Sequence, residues 1–268
     1  MATPSAQSPS WTGNNIWIQD EWTDEDKSKA RDQLASESQR QTAGQALTDF
    51  GRNASTNWNV FYQQNKTNFF KDRHYLHKAF PEEFGWLYDD SASDGTIRKD
   101  KRIVEIGCGV GNAILPLLEQ HSELVKRFKE LNSDASPPQL HIHALDFAPT
   151  AVKLLKDDPR FQSASKKGRA TAHVYDASSM HPSTISIPGN PGGTSQQHTL
   201  TNSADIAILL FCLSAIGPHP SPALDRAARH ACAMLKPGGT LLIRDYGRLD
   251  EGKNISYIMH LMISSLLS

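Results

Sequence analysis

The chain carries almost no net charge. In 268 residues, 28 Lys and Arg stand against 29 Asp and Glu, a formal charge of −1. Bulk electrostatics therefore attract neither nucleic acid nor membrane, and any such contact must come from a local patch. Cysteine is scarce as well. Cys108, Cys212 and Cys232 have no C-x-x-C spacing, which argues against a disulfide framework and a zinc site and fits a reducing compartment. No apolar run approaches the ~20 residues of a membrane span. Met1 to Gly13 has no apolar signal core, and no arginine precedes Arg31, which argues against a mitochondrial presequence.

What is present divides into four parts. Residues 1–57 are polar, rich in Ser, Gln, Asp and Lys, and read as a largely flexible arm with a short helix from about Thr23 to Ser38. Residues 58–100 are aromatic and basic and read as helical cover. Residues 101–250 alternate strand and helix signals. Strands are predicted near 103–107, 140–146, 170–176, 205–211 and 239–246, and helices near 111–131, 149–157 and 222–235. Such alternation implies an α/β fold, a parallel sheet with helices on both faces and ligands beyond the carboxyl ends of the strands. Residues 177–203, rich in Ser, Thr, Pro, Gly and Gln, are expected to form a long surface loop without chemistry. Lys236-Pro-Gly-Gly239 is expected to be a turn entering a strand. Residues 251–268 form an atypical tail.

The densest signal is Arg102-Ile-Val-Glu-Ile-Gly-Cys-Gly-Val-Gly-Asn112. An apolar, strand-like run stops in three alternating glycines, with Glu105 two residues before the first. Glycines there let backbone amides approach a ligand over the strand tip, and the helix that follows favours polar or anionic groups at its amide end. A dinucleotide fingerprint would need a third glycine where Asn112 stands and an acid ~20 residues on. The next acid ending a strand-like run is the far more distant Asp146. The pattern E-x-G-x-G-x-G instead resembles motif I of class I S-adenosylmethionine (SAM)-dependent methyltransferases. His141-Ile-His-Ala-Leu-Asp146 and Ala172-His-Val-Tyr-Asp176 also end in acids. One carboxylate can accept from ribose hydroxyls and the other from an adenine amino group. Asp146 alone could equally cap the next helix, but with the glycine turn the three acids favour a nucleoside-bearing cofactor.

Two methyl-transfer chemistries are excluded. The Asn/Asp-Pro-Pro-aromatic element of adenine amino methylation is absent, since that place reads Leu210-Phe-Cys-Leu-Ser214. Attack on pyrimidine carbon 5 needs an activated thiolate. Cys212 sits in an apolar run with no neighbouring His or Lys and reads as a small buried hydrophobe. Trp58 to Leu76 mixes rings with cations. Between Asn65 and Lys78, Lys66, Lys71, Arg73 and Lys78 face one acid, Asp72. Rings and cations interleaved suit an RNA strand. An amphipathic helix with its rings on the sheet fits the periodicity too.

The run W-x-x-F-Y-x-x-N-x-x-x-F-F-K-D-R-H from Trp58 resembles the signature of the methyltransferase-like tRNA 3-methylcytidine methyltransferases, which act at position 32 of the anticodon loop. The resemblance continues through Val104 to Asn112, Asp146-Phe-Ala-Pro149, Leu210 to Ile216 and Leu235 to Arg248, covering about residues 58–250. It implies SAM contacts at Trp58, Tyr62, Gly107, Gly109, Asn112, Asp146, Asp176 and Leu210. It implies substrate contacts at Phe70, Lys71, Arg73, His74 and Arg244, with Asp245 as the catalytic candidate. It also implies tRNA as partner, an accessory protein that helps to select it, no metal, and a cytoplasmic location with a nuclear pool. Trp17 to Asp26 is similar to the N-terminal arm of members acting on threonine tRNAs. The alternatives are a SAM-dependent enzyme acting on a small molecule or protein, and an impaired member acting as a binding subunit.

Two departures stand out. The family usually reads S-A-I-H-P after the fourth strand, whereas this chain reads Ser214-Ala-Ile-Gly-Pro-His-Pro220, so Gly217 or His219 holds that place. The usual fold also adds two strands after the fifth. The tail Asn254 to Ser268 is too short for both with their helix. The expectation is a C-terminally truncated member with the fifth strand's edge unpaired.

Overall fold

The computed structural model describes residues 53–88, 100–131, 137–188, 198–216, 222–246 and the backbone of strand 256–262, with a few helical positions between Asp24 and Asp32. Gly217, His219 and most of Trp17 to Asp26 lie outside the described residues.

Six strands form one sheet in the order β3-β2-β1-β6-β7-β8. They are β1 (Lys101–Ile106), β2 (Leu140–Asp146), β3 (Ala170–Val174), β6 (Ala204–Leu210), β7 (Leu235–Tyr246) and β8 (Ser256–Met262). The first five run parallel, and β8 pairs antiparallel with β7 from Thr240↔Met262 to Tyr246↔Ser256. Strand order reverses between β1 and β6, so a crevice opens beyond their carboxyl ends, the usual ligand position in such sheets. β8 corrects the expectation of a bare edge. The backbone of Ser256–Met262 pairs with the outer edge of β7 as an antiparallel strand.

The central strands are apolar on both faces because both are covered. One face, with Ile103, Ile142, Ala172, Ile208 and Leu242, packs on α4 (Ile114–Leu131), α5 (Pro149–Asp157) and α6 (Pro159–Lys166). The other, with Val104, Ile106, Ala207, Leu209 and Leu241, packs on α8 (Pro222–Met234). Pro149 and Pro159 open α5 and α6 at the first-turn positions that tolerate a missing N–H.

Before the sheet, α1 (Ala54–Asn65) is followed by the short α2 (Leu76–Ala79) and α3 (Pro81–Phe84) and a 3-10 turn, Gly85–Leu87. Phe80, Phe84 and Leu87 are fully buried and fasten this cover to the core. A second correction concerns 177–203. That stretch holds a 3-10 turn at Pro182–Thr184 and two short antiparallel strands, β4 (Ser186–Ile187) and β5 (His198–Thr199). Ile185, Ile187 and Leu200 are buried. These isolated apolar residues, with no period among polar ones, anchor the segment. Lys236–Gly239 lies inside β7, where pairing jumps from Ala204↔Leu235 to Ile206↔Thr240. Gly238 has φ +78, so the expected turn is a bulge within the strand.

His121 of α4 is fully buried. Its Nε2–H donates to the Pro138 carbonyl at 2.8 Å, and Nδ1 accepts from Arg169 at 2.6 Å. Burial, with Arg169 adding to it, lowers its pKa from 6.5 to about 4. The unfolded chain binds this proton more readily, so stability from a neutral His121 is full above pH 6.5 and is lost as pH falls toward 4. Denaturant midpoints at pH 7 and 5 should show acidification costing the wild type about 2 kcal/mol more than His121→Gln. Equal costs would contradict this account of His121.

Candidate active site

Beyond Ile106 the chain turns through Gly107, Gly109 and Gly111, with φ of +74, +54 and +92. Other residues rarely adopt such values, and the neighbours leave no room for one. A Cβ at Gly107 would lie 2.6 Å from Cys212 Sγ, at Gly109 2.6 Å from Tyr62 Oη, and at Gly111 2.5 Å from Leu155 Cδ1. The turn is bonded to β2. Gly107 and Cys108 amides donate to the Leu145 carbonyl at 2.8 and 3.0 Å. Asp146 Oδ2 accepts from the Gly109 amide and Oδ1 from Ala148, both at 2.8 Å.

Those two bonds use two of the four lone-pair sites of the Asp146 carboxylate. Two remain, the number that a pair of ribose hydroxyls requires. Burial raises the Asp146 pKa, and the amide bonds from Ala148 and Gly109 oppose the rise. Asp176 follows β3. Its Oδ1 accepts from the Ser178 amide at 2.8 Å and Ser178 Oγ at 2.7 Å, and Oδ2 from Ser179 Oγ at 2.7 Å. Burial alone would raise its pKa, but these bonds take it below the usual carboxylate range.

α1 docks on the β2–α5 junction. Asn59 Oδ1 accepts from the Thr150 amide at 3.0 Å, and Ser55 Oγ donates to the Phe147 carbonyl at 3.3 Å. Trp58 and Tyr62, one turn apart, have ring centroids 5.8 Å apart. Tyr62 is buried against the glycine turn, and burial, reinforced by Asp146, pushes its phenol pKa up.

Asn112 joins this half of the site to the next. Its Nδ2 donates to the Phe70 carbonyl at 3.0 Å and Asp72 Oδ1 at 3.2 Å, and its own carbonyl accepts from the Arg73 amide at 2.6 Å. The side chain thus holds the Phe69-Phe70-Lys71-Asp72-Arg73 segment to the glycine turn. Arg160 secures the far side by pairing with Asp72 at 2.6 Å and Asp158 at 2.9 Å, with Glu119 at 3.5 Å. Arg73 then lies over the Phe211 ring, 4.8 Å from its centroid, and the buried Arg244 lies 5.0 Å from the centroid of Tyr75. The Phe211 amide donates to the Arg244 carbonyl at 2.7 Å, which carries the β6–β7 pairing one residue past Leu210. Asp245 Oδ2 accepts from the Ser214 amide at 3.0 Å, orienting its carboxylate at the first turn of α7 (Leu213–Ile216).

The residues singled out from the sequence therefore gather in two linked groups. Trp58, Tyr62, Gly107, Gly109, Asn112 and Asp146 surround the turn, Phe70 packs beside them on Phe61, and Arg73, Arg244 and Asp245 line the β6–β7 side. Leu210 is buried at the end of β6. Asp176 sits at the next strand end, and Lys71 and His74 are exposed. Cys212 packs behind Gly107 as a partly buried hydrophobe, and burial raises its thiol pKa. Sequence reading gave no role to Asn59, Tyr75, Arg160 or Phe211. No spacing rule could have found Arg160, whose partner Asp72 is remote in sequence. Among the described residues, no group of three or more His, Cys, Asp or Glu could hold a metal ion, and no helix is long and apolar enough to cross a membrane.

The family model described as a methyltransferase domain matches residues 104–241, just over half of the chain. The chain is also similar to curated proteins, three of which follow. The tRNA N(3)-methylcytidine methyltransferase Mettl2 of Drosophila melanogaster is 32% identical over 236 residues, covering 88% of this chain and 61% of the relative. The tRNA(Thr) (cytosine(32)-N(3))-methyltransferase of Saccharomyces cerevisiae is 32% identical over 237 residues, covering 88% and 32%. The tRNA N(3)-cytidine methyltransferase METTL2 of Xenopus tropicalis is 29% identical over 262 residues, covering 88% and 68%. The chain thus spans 61% of the fly relative and about a third of the yeast one.

Glu105 is the costly member of the site. It is 2% exposed, and its Oε2 is buried with no hydrogen-bond partner. Burial raises its pKa from 4.5 to about 8, with Arg73 opposing and Asp146 adding to the rise. The folded state holds this proton more tightly than the unfolded chain, so stability from Glu105 is full below pH 4.5 and is lost as pH rises toward 8. Glu105→Gln keeps the shape without the charge. Urea midpoints should show it about 4 kcal/mol more stable than the wild type at pH 8, with the gain gone near pH 4.5. A pH-independent difference would contradict the burial of an ionisable Glu105.

Proposed function

The chain belongs to the methyltransferase-domain family, and we propose that it methylates N3 of cytidine 32 in the anticodon loop of tRNA, using S-adenosylmethionine. The observation that carries this reading is the Asn112 staple, which sets a cationic, aromatic segment against the glycine turn. A turn with its acids binds a nucleoside cofactor, and the segment beside it suits RNA. The names of the similar proteins support the same substrate.

The residues fit the cofactor. Asp146 keeps two acceptor sites for ribose, and Asp176 Oδ2 keeps one for an adenine amino group. Trp58 and Tyr62 wall the methionine side. When bound, S-adenosylmethionine supplies an electrophilic methyl group. N3 of cytosine carries a lone pair and no proton, so no general base is needed. The base must leave its stack to present that edge. Arg73, held on Phe211, receives phosphate or the unstacked base together with the exposed Lys71 and His74, and the buried Arg244, on Tyr75, stands at the substrate side of the rim. Asp245 accepts from the exocyclic amino group and stabilises the positive charge that develops on the ring. Catalysis rests on this alignment and on a carboxylate preset for that charge. An accessory protein that selects the tRNA and a cytoplasmic location, with a nuclear pool, complete the proposal.

Nucleoside mass spectrometry of unmodified tRNA treated with the chain and SAM should show 3-methylcytidine. Asp245→Ala should lower its formation by at least about a hundredfold while SAM affinity by calorimetry stays within a few fold. Undiminished methylation by Asp245→Ala would remove Asp245 from the chemistry. SAM binding with no methylation by the wild type would make the chain a binding subunit.

A further inference from the structure

Phe69 is 59% exposed, the largest exposure among the described large hydrophobics. The exposed ring nonetheless packs against two others. Its centroid lies 4.9 Å from Phe61 and 4.7 Å from Phe70, with interplanar angles of 78° and 80°. Both contacts are edge-to-face, a favoured and directional geometry. Phe61 in turn meets Trp58 and Tyr62 at 5.3 Å each. A chain of rings therefore runs from the glycine turn, where Tyr62 is buried, out to Phe69 at the surface. The backbone is fixed as well, because the next carbonyl, that of Phe70, accepts from Asn112.

The surroundings say what would cover the ring. Lys66 and Lys71 are exposed on either side of it in the chain, along with Thr67 and Asn68. Neither lysine forms an ion pair among the described residues. The nearby acid, Asp72, is engaged by Arg160 and Asn112. A rigid ring between unneutralised cations, next to a site that requires an unstacked base, is complementary to a single-stranded nucleotide. The base would stack on the ring while its phosphates meet the lysines.

We propose that Phe69, flanked by Lys66 and Lys71, is a second stacking subsite, which holds a loop nucleobase beside the one delivered to the active site. The proposal rests on the RNA reading above and adds to it a contact outside the reacting centre. The subsite would prise the loop open by giving a neighbouring base a new stacking partner, which lowers the cost of unstacking the target.

The test is fluorescence anisotropy of a labelled anticodon stem-loop with the full chain and its Phe69→Ala, Phe69→Tyr and Lys66→Ala/Lys71→Ala variants, with SAM affinity by calorimetry in parallel. Phe69→Ala should weaken RNA binding roughly tenfold, the scale of one stacked base. Phe69→Tyr should restore it, the lysine variant should flatten its salt dependence, and SAM affinity should not change. Loops with 2-aminopurine beside the target should lose their bound-state quenching with Phe69→Ala. If Phe69→Ala binds the stem-loop as tightly as the wild type, the subsite is refuted while the proposed function stands. If SAM affinity falls in step with RNA affinity, the ring is a packing element only. If no variant binds the stem-loop, and neither does the wild type, the RNA reading fails and takes the subsite with it.

Discussion

Everything at the site depends on a backbone that carries no side chains. Three successive alternate residues hold positive φ, and at each the missing Cβ is the room another residue needs: Cys212, Tyr62 and Leu155. Asp146 then fixes the turn by accepting from Gly109 across the sheet. The carboxylate is buried, and each of its two oxygens accepts one amide bond, a pair of acceptors that a side-chain amide cannot supply. A charged group kept at that cost makes sense where further donors arrive with a ligand. Glu105 extends the same logic. A buried carboxyl with an unpartnered oxygen destabilises the free protein above pH 4.5, a kind of cost that clusters at functional sites.

The second half of the site is attached to the first rather than built into the sheet. Asn112, the residue that distinguishes this turn from a dinucleotide fingerprint, holds the Phe70–Arg73 backbone with both its amide group and its carbonyl. Cofactor side and substrate side thus share one residue. Arg160 braces the same segment from α6 through partly exposed ion pairs, which contribute modestly to stability but fix geometry. Deforming one half is expected to be felt by the other, since the connection runs through directional hydrogen bonds as well as ring contacts.

Much of this was legible in the sequence, for physical reasons. Buried parallel strands are apolar on both faces, so β1, β2 and β6 stood out as runs, and Pro149 marked the start of α5. The glycines were readable because only one residue type tolerates that turn. Long-range pairing was not readable. Arg160 with Asp72, and Phe211 under Arg73, depend on how helices dock, and no local period encodes that. The tail misled for a related reason. Strand β8 is specified by the open edge of β7 more than by its own pattern. The stretches 177–188 and 198–203 read as surface loop because a few buried residues, Ile185, Ile187 and Leu200, suffice to pin them.

The central claim is that the glycine turn and the aromatic, basic segment form one unit around a shared cofactor site. Amide hydrogen exchange with and without S-adenosylmethionine tests it directly. The account predicts that the cofactor protects Gly107–Asn112 and residues 58–73 together, and that Asn112→Ala lowers protection at residues 69–73 while the turn and α1 stay protected. Protection of the turn alone in the wild-type chain would contradict it.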